Sequence, residues 1–277
     1  MPTQPTLNVT EAIQFGQLVN ATYATQPGDL TNAAGRKLTV GGVDYTVVTT
    51  IYANDLATDM NPGRVDDTVS IGLICRVDQT GDVVIAIRGT EGILEWIHDV
   101  EFSLVPCPFV AGAGHTEDGF TDMYESLRTG SAPDSPTVVN ALANLQFPHP
   151  VTSVTICGHS LGGALATLLA LDLAANTAFA EPAVYTYGSP RTGDSLFAAT
   201  YDQVVRNSYR VTNRLDVVTA LPPTFAGYEH VLTPYELNPA RLVKCTLICE
   251  HSLATYLHLL SLQTGGPVLP LDPACKP

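Results

Sequence analysis

Positive charge is what this chain has least of: 13 Lys plus Arg stand against 27 Asp plus Glu in 277 residues, a formal net charge of −14. A nucleic-acid binder needs a basic face to neutralise phosphates, so the deficit excludes that class. It also argues against attraction to anionic membrane surfaces. Long apolar runs are missing as well. The longest, Leu161 to Leu171, stops at Asp172, short of the roughly 18 residues that read as a transmembrane segment. The opening MPTQPTLNVTEA has neither a basic n-region nor an apolar h-region. No signal peptide is visible, and the expectation is a secreted protein in mature or leaderless form, with a cytoplasmic one as the alternative. Neither repeats nor low-complexity tracts nor a linker divide the sequence, which predicts one domain over residues 1–277.

Cysteine is thinly spread. The six, at 75, 107, 157, 245, 249 and 275, match no zinc spacing. Cys75 and Cys157 sit in apolar, strand-like runs and read as buried thiols. Cys107, Cys245, Cys249 and Cys275 are available for disulfides in an oxidising compartment, with the pairing open. Two glycosylation sequons, at Asn8 and Asn20, matter only in a host that secretes and glycosylates the chain.

What is present is a cored protein, 45% hydrophobic. Asn8-Val-Thr-Glu11 has the form of a helix start, leading to about Tyr23. Strand candidates are Tyr45 to Tyr52, Thr68 to Val77, VVIAI after Asp82, Val151 to Cys157, Ala183 to Tyr187 and Val204 to Val211. The continuous VVIAI run fits a central strand covered on both faces. Ser135-Pro136 opens a helix through VVNALANL, Ser160 to about Ala178 is rich in Ala and Leu, and Ser252 to Leu262 forms a shorter C-terminal helix. Strands alternating with helices predict an α/β fold, a mostly parallel sheet with helices on both sides.

Gly158-His159-Ser160-Leu161-Gly162 fits G-x-S-x-G, with a strand before it and a long helix after it. In that setting the glycines permit a turn too tight for side chains, and Ser160 Oγ stands clear of the sheet at a helix N-terminus. There the dipole favours developing negative charge, and the Leu161 N–H points at a substrate oxygen. The alternative is a merely tight strand-to-helix turn.

CGHSLGGALATLLA resembles the nucleophile elbow of the fungal-type (class 3) lipases, a branch of the α/β-hydrolases. Ile87-Arg-Gly-Thr90 resembles that family's strand end and oxyanion loop, and Trp96 within GILEWIHDV matches its lid tryptophan. His115 to Phe120 resembles a stretch in which histidine precedes Gly-Phe. Tyr187 to Gly193 resembles its GSPRVG loop, and Tyr209 to Pro223 its acid loop. In order these cover roughly residues 83 to 260. The resemblance implies an α/β-hydrolase fold with a short helical lid at about 91–101, and Thr90 joining Leu161 in the oxyanion hole.

In α/β-hydrolases the triad runs Ser, acid, His along the chain. Asp172 lies within the nucleophile helix. Asp216 follows the strand around Tyr209 to Thr212 and carries the match in LDVVTALPP, so it is preferred to Asp194. For the base, His251 precedes the C-terminal helix on a loop and begins a plant-like version of the family pattern; His258, inside the helix, is the second choice. His230 reads as a structural loop histidine, and His159 as held away from the site by the turn. The chemistry is then nucleophilic ester cleavage through an acyl-enzyme, with no metal and no organic cofactor. The partner is an ester lipid at a lipid–water interface, acted on as by a triacylglycerol lipase; oligomeric state stays open. A feruloyl or short-acyl carboxylesterase and a phospholipase A1 are alternatives within the class, and a catalytically silent binding module on the same fold is the alternative outside it. Between Arg88 and Arg128 lie eight Asp or Glu and no Lys or Arg. Such a local field favours neutral esters over anionic surfaces.

On a helical wheel Ile93, Leu94, Trp96, Ile97 and Val100 share one arc of the 91–101 segment, opposite Glu95, His98, Asp99 and Glu101. This is an ordinary surface helix or, by the resemblance, a lid over the acyl groove. Trp96→Ser should lower turnover on emulsified triacylglycerol more than on a soluble short-chain ester, measured in parallel. Equal loss on both substrates contradicts the lid.

Overall fold

The structure is a computed structural model, and it describes residues 6–23, 33–54, 68–89, 102–144, 151, 153–179, 181–239 and 241–277. The elements are α1 (Val9–Tyr23), β1 (Lys37–Val40), β2 (Val43–Asn54), β3 (Thr68–Val77), β4 (Val83–Ile87), β5 (Leu104–Pro106), β6 (His115–Glu117), α2 (Asp118–Glu125), α3 (Val138–Asn144) and β7 (Val154–His159). They continue with α4 (Leu161–Asn176), β8 (Ala183–Tyr187), β9 (Gly193–Asp194), α5 (Ser195–Val204), β10 (Ser208–Asn213), β11 (Tyr228–Glu229), β12 (Pro234–Leu237), α6 (Leu247–His251) and α7 (Leu253–Ser261).

An eight-stranded sheet runs β1-β2-β3-β4-β7-β8-β10-β12. Its first four strands are antiparallel and the remainder, from β4 onward, pair in parallel. The parallel half is the expected mostly parallel sheet flanked by helices. β4 reads VVIAI and is buried at every position. Its side chains alternate between two cores: Val83, Ile85 and Ile87 pack on one face with α4, and Val84 and Ala86 on the other with α1 and α7. A strand covered on both faces has no use for polar alternation. The same logic explains the long apolar run. Every residue from Leu161 to Leu171 is buried, so an all-round apolar helix here is a core helix. Among the described residues no helix is long and apolar enough to cross a membrane.

The strand expected at Val204 to Val211 begins later, at Ser208, because Val204 ends α5 and Val205 caps it. His251 does not lie on a loop. It is the last residue of the five-residue α6, whose start is capped by the Thr246 hydroxyl accepting from the Cys249 N–H at 3.3 Å. Of the four cysteines available for pairing, Cys249 and Cys275 are bridged, while Cys107 is a buried free thiol and Cys245 an exposed one. Cys75 and Cys157 are buried thiols as expected, and burial pushes Cys75 up to about 12.

A second, four-stranded sheet, β11-β9-β6-β5, lies in the connections between the parallel strands. At its heart Glu117 caps α2, its carboxylate accepting the Phe120 N–H at 2.7 Å with only 3% of the residue exposed. Burial outweighs the backbone donors and pushes the Glu117 carboxyl up to about 7 from an ordinary 4.5. Between those two pH values the folded chain binds more protons at this site than the unfolded one, so stability falls as pH rises through the window. The drop is on the order of 3 kcal/mol. Glu117→Gln should flatten the fall of stability between pH 5 and pH 8 in urea titrations relative to the parent. An unchanged slope would show that Glu117 ionises normally.

Candidate active site

Ser160 occupies the turn between β7 and α4 with φ 58° and ψ −129°. A non-glycine residue in that region is strained by about 1–3 kcal/mol and persists only where its surroundings over-determine it. Here backbone meets backbone. A Cβ on Gly158 would lie 2.1 Å from Gly162 O, and one on Gly162 would lie 2.4 Å from Ile87 O and 2.5 Å from Arg88 O. No side chain fits between the elbow and the end of β4. The turn sets Ser160 at the α4 N-terminus, and Leu161 opens that helix, where N–H groups have no intrahelical acceptor. Thr90, the other oxyanion candidate, and Ile93, Trp96 and Ile97 of the lid segment lie outside the described residues.

Three side chains distant in sequence meet at the C-terminal edge of the parallel strands. His251 Nε2 lies 2.8 Å from Ser160 Oγ, and His251 Nδ1 lies 2.8 Å from Asp216 Oδ2. The His251 and Asp216 side chains are 5% and 0% exposed. Asp216 comes from the turn after β10 and caps the 3-10 helix Val217–Ala220, where Oδ1 accepts the Val218 N–H at 3.0 Å. Its Oδ2 also accepts the Tyr256 hydroxyl at 2.6 Å. A carboxylate with three donors is held in one orientation without water, which is what a group that must fix an imidazole tautomer requires.

The competing candidates are engaged elsewhere. Asp194 caps α5 through the Phe197 N–H and pairs with His115 Nδ1 at 2.9 Å. Asp172 accepts from the Tyr124 hydroxyl at 2.5 Å. His258 Nδ1 bonds Leu269 O at 2.7 Å. His230 Nε2 donates to Thr219 O at 2.6 Å, and burial with the nearby Arg210 charge brings its imidazole down to about 3. Among the described residues no group of three or more His, Cys, Asp or Glu is placed to hold a metal ion.

His159 contradicts its expected position. The turn does not hold it away from the site: its ring lies 4.7 Å from that of His251, and Nε2 is 2.8 Å from His251 O. Tyr23 and Tyr256 are further members that sequence reasoning did not single out. Tyr256 follows His251 by five residues, on α7. Tyr23 gives no local signal, because its partner His159 is 136 residues away.

The Tyr256 hydroxyl both donates to Asp216 and accepts the Asn213 N–H at 3.1 Å. Tyr256→Phe strands that buried N–H and should cost about 1–3 kcal/mol of stability in denaturant unfolding. A loss under about 0.5 kcal/mol would mean water replaces the hydroxyl.

Comparison with known proteins places the chain in a family. Residues 84–226 match the family described as lipase (class 3). The chain is 34% identical over 170 residues to the secreted mono- and diacylglycerol lipase 1 of Fusarium solani, covering 61% of this chain and 48% of that protein. It therefore spans about half the length of this relative. It is 31% identical over 309 residues to a phospholipase A1 of Oryza sativa subsp. indica, covering 90% of this chain and 68% of that one. Among solved structures, the native Rhizomucor miehei lipase propeptide complex superposes with a TM-score of 0.64 at 27% identity, over 85% of this chain and 70% of that chain. With its α/β-hydrolase sheet, its elbow serine and the match across 84–226, the chain belongs to the class 3 lipase family.

Proposed function

We propose that this chain is a serine carboxylic-ester hydrolase acting on acylglycerol esters, a lipase, with Ser160 as nucleophile, His251 as base and Asp216 as its orienting acid. The observation that carries the reading is the unbroken hydrogen-bonded sequence from Ser160 Oγ through His251 to Asp216, 2.8 Å at each step. Ser160 Oγ attacks the ester carbonyl while His251 Nε2 takes its proton, and Asp216 stabilises the imidazolium that forms. The tetrahedral oxyanion is held by the Leu161 N–H and by Thr90. Collapse expels the alcohol, which takes the proton back from His251. Water then enters, activated by the same imidazole, and releases the fatty acid. Neutral glycerides are the favoured class, in keeping with the net charge of −14 and the acidic stretch between Arg88 and Arg128. Secretion is supported by the Cys249–Cys275 bridge, which belongs to an oxidising compartment, and by the relative named as secreted.

Phospholipase A1 activity is the second reading, favoured by the rice phospholipase that aligns over 90% of the chain. A p-nitrophenyl ester series from short to long acyl chain, run beside triacylglycerol emulsions and phosphatidylcholine vesicles, separates the two. Faster release of fatty acid from emulsion than from vesicles supports the lipase; the reverse supports the phospholipase. Ser160→Ala should lower all of these activities on the order of 10⁴-fold or more while leaving the circular dichroism and melting profile of a folded chain. Retained turnover in that variant overturns the assignment.

A further inference from the structure

We propose that Tyr23 and His159 are positioning residues that hold the backbone at Gly89 just after β4, the nucleophile and the base in one register through a directional hydrogen-bond chain. The inference rests on the serine-hydrolase reading above. A carbonyl oxygen only accepts, so the 2.8 Å contact between His159 Nε2 and His251 O requires the proton on Nε2. In the neutral ring Nδ1 is then an acceptor, and the Tyr23 hydroxyl, 2.8 Å away, donates to it. The Tyr23 oxygen in turn accepts the Gly89 N–H at 2.6 Å. The polarity runs one way, from Gly89 through Tyr23 and His159 to the backbone of His251.

Each link touches a different working part. Gly89 directly precedes Thr90 and packs so close to the nucleophile that a Cβ placed on it would lie 2.8 Å from Ser160 Cβ. His159 directly precedes Ser160. His251 carries the imidazole that must meet Ser160 Oγ, yet it sits at the end of a helix of only five residues. So short a helix has little stability of its own, and its last carbonyls have no intrahelical donor. His159 supplies a donor to one of them. It also lies 4.7 Å from the His251 ring at 33°. A neutral ring there leaves the imidazolium formed during the reaction without a second positive charge beside it. Burial holds His159 well below the ordinary histidine range, and the neighbouring His251 charge adds to that. Tyr23 is the last residue of α1, outside the segment 84–226 that matches the family. A helix remote in sequence is thereby tied to the backbone that leaves β4 beside the nucleophile.

The experiment compares the full chain with Tyr23→Phe, His159→Asn, His159→Gln and the Tyr23→Phe/His159→Asn double variant. Asn keeps an acceptor near the Nδ1 position but has no donor for His251 O, whereas Gln restores a donor near Nε2. The readouts are kcat and KM on a soluble p-nitrophenyl butyrate, the rate of labelling by a fluorophosphonate, and thermal melts. Expected is a fall in kcat of about tenfold to a hundredfold for Tyr23→Phe and His159→Asn, with KM within about twofold. Partial recovery is expected in His159→Gln, and a double variant no worse than the poorer single one. Should His159→Asn fail to fold, Tyr23→Phe, which removes one oxygen, carries the same kcat and labelling test. Single variants within about twofold of the parent in kcat and labelling, or losses that multiply in the double variant, overturn the coupling. A parent chain that the fluorophosphonate does not label overturns the serine-hydrolase reading itself, a result distinct from variants that label as fast as the parent.

Discussion

The site hangs on one steric constraint, the approach of the β7–α4 turn to the end of β4 with only glycines at the contact. Gly162 lies against the carbonyls of Ile87 and Arg88, and Gly158 against Gly162 itself. This contact places Ser160 in a backbone conformation that a serine does not choose. Its maintenance depends on α4 being seated in the core, and α4 is seated because all of its first eleven residues are buried. The sheet therefore does more than present the nucleophile. β4 and β7 pair in parallel from Val83↔Val154 to Ile87↔Gly158, and that register delivers the glycine of the elbow opposite the end of the central strand.

Around this fixed point the molecule buries polar groups that would each be costly alone. Asp216, Tyr256, Asn213, His159 and His251 are all nearly inaccessible. Each finds partners within the group or on its border: Tyr256 joins Asn213 to Asp216, and Asn213 Nδ2 donates to Glu250 O at 2.7 Å. A satisfied network of this kind is rigid, because any rotation of one member orphans another in a medium that offers no substitute. The elements that hold the chemistry are accordingly short loops and helix ends pinned by hydrogen bonds, set around the wholly apolar strand β4.

Much of this was legible in the sequence, for identifiable reasons. VVIAI, VTIC and AVYTY read as buried strands because parallel strands are covered on both faces, and the Ala- and Leu-rich helix after Ser160 has no polar face to confuse the reading. Ser160, Asp216 and His251 fall together in space; the chain order serine, acid, histidine narrows the seven histidines to His230, His251 and His258, and the family resemblance selects Asp216 and His251. The small sheet was illegible: β9 and β11 have two residues each and no periodicity to detect. α6 is illegible as a helix because its five residues do not complete a helical pattern. The place of His159 is illegible because the turn fixes only its backbone and leaves its side chain undetermined. Its ring is directed by Tyr23 and by the carbonyl of His251, 136 and 92 residues away. Local pattern cannot report partners at that separation.

The bridge between Cys249 and Cys275 fastens the segment bearing His251 to one 26 residues further on. The Lys244 N–H adds a bond to Cys275 O at 2.9 Å. During synthesis the elbow and its serine emerge long before the base, and the base emerges before the cysteine that ties its helix down. A ribosome-bound chain that ends short of residue 251 holds a serine with no imidazole to activate it. The serine and its base are thus both present only after residue 251 has been made, and the tether of the base only after residue 275.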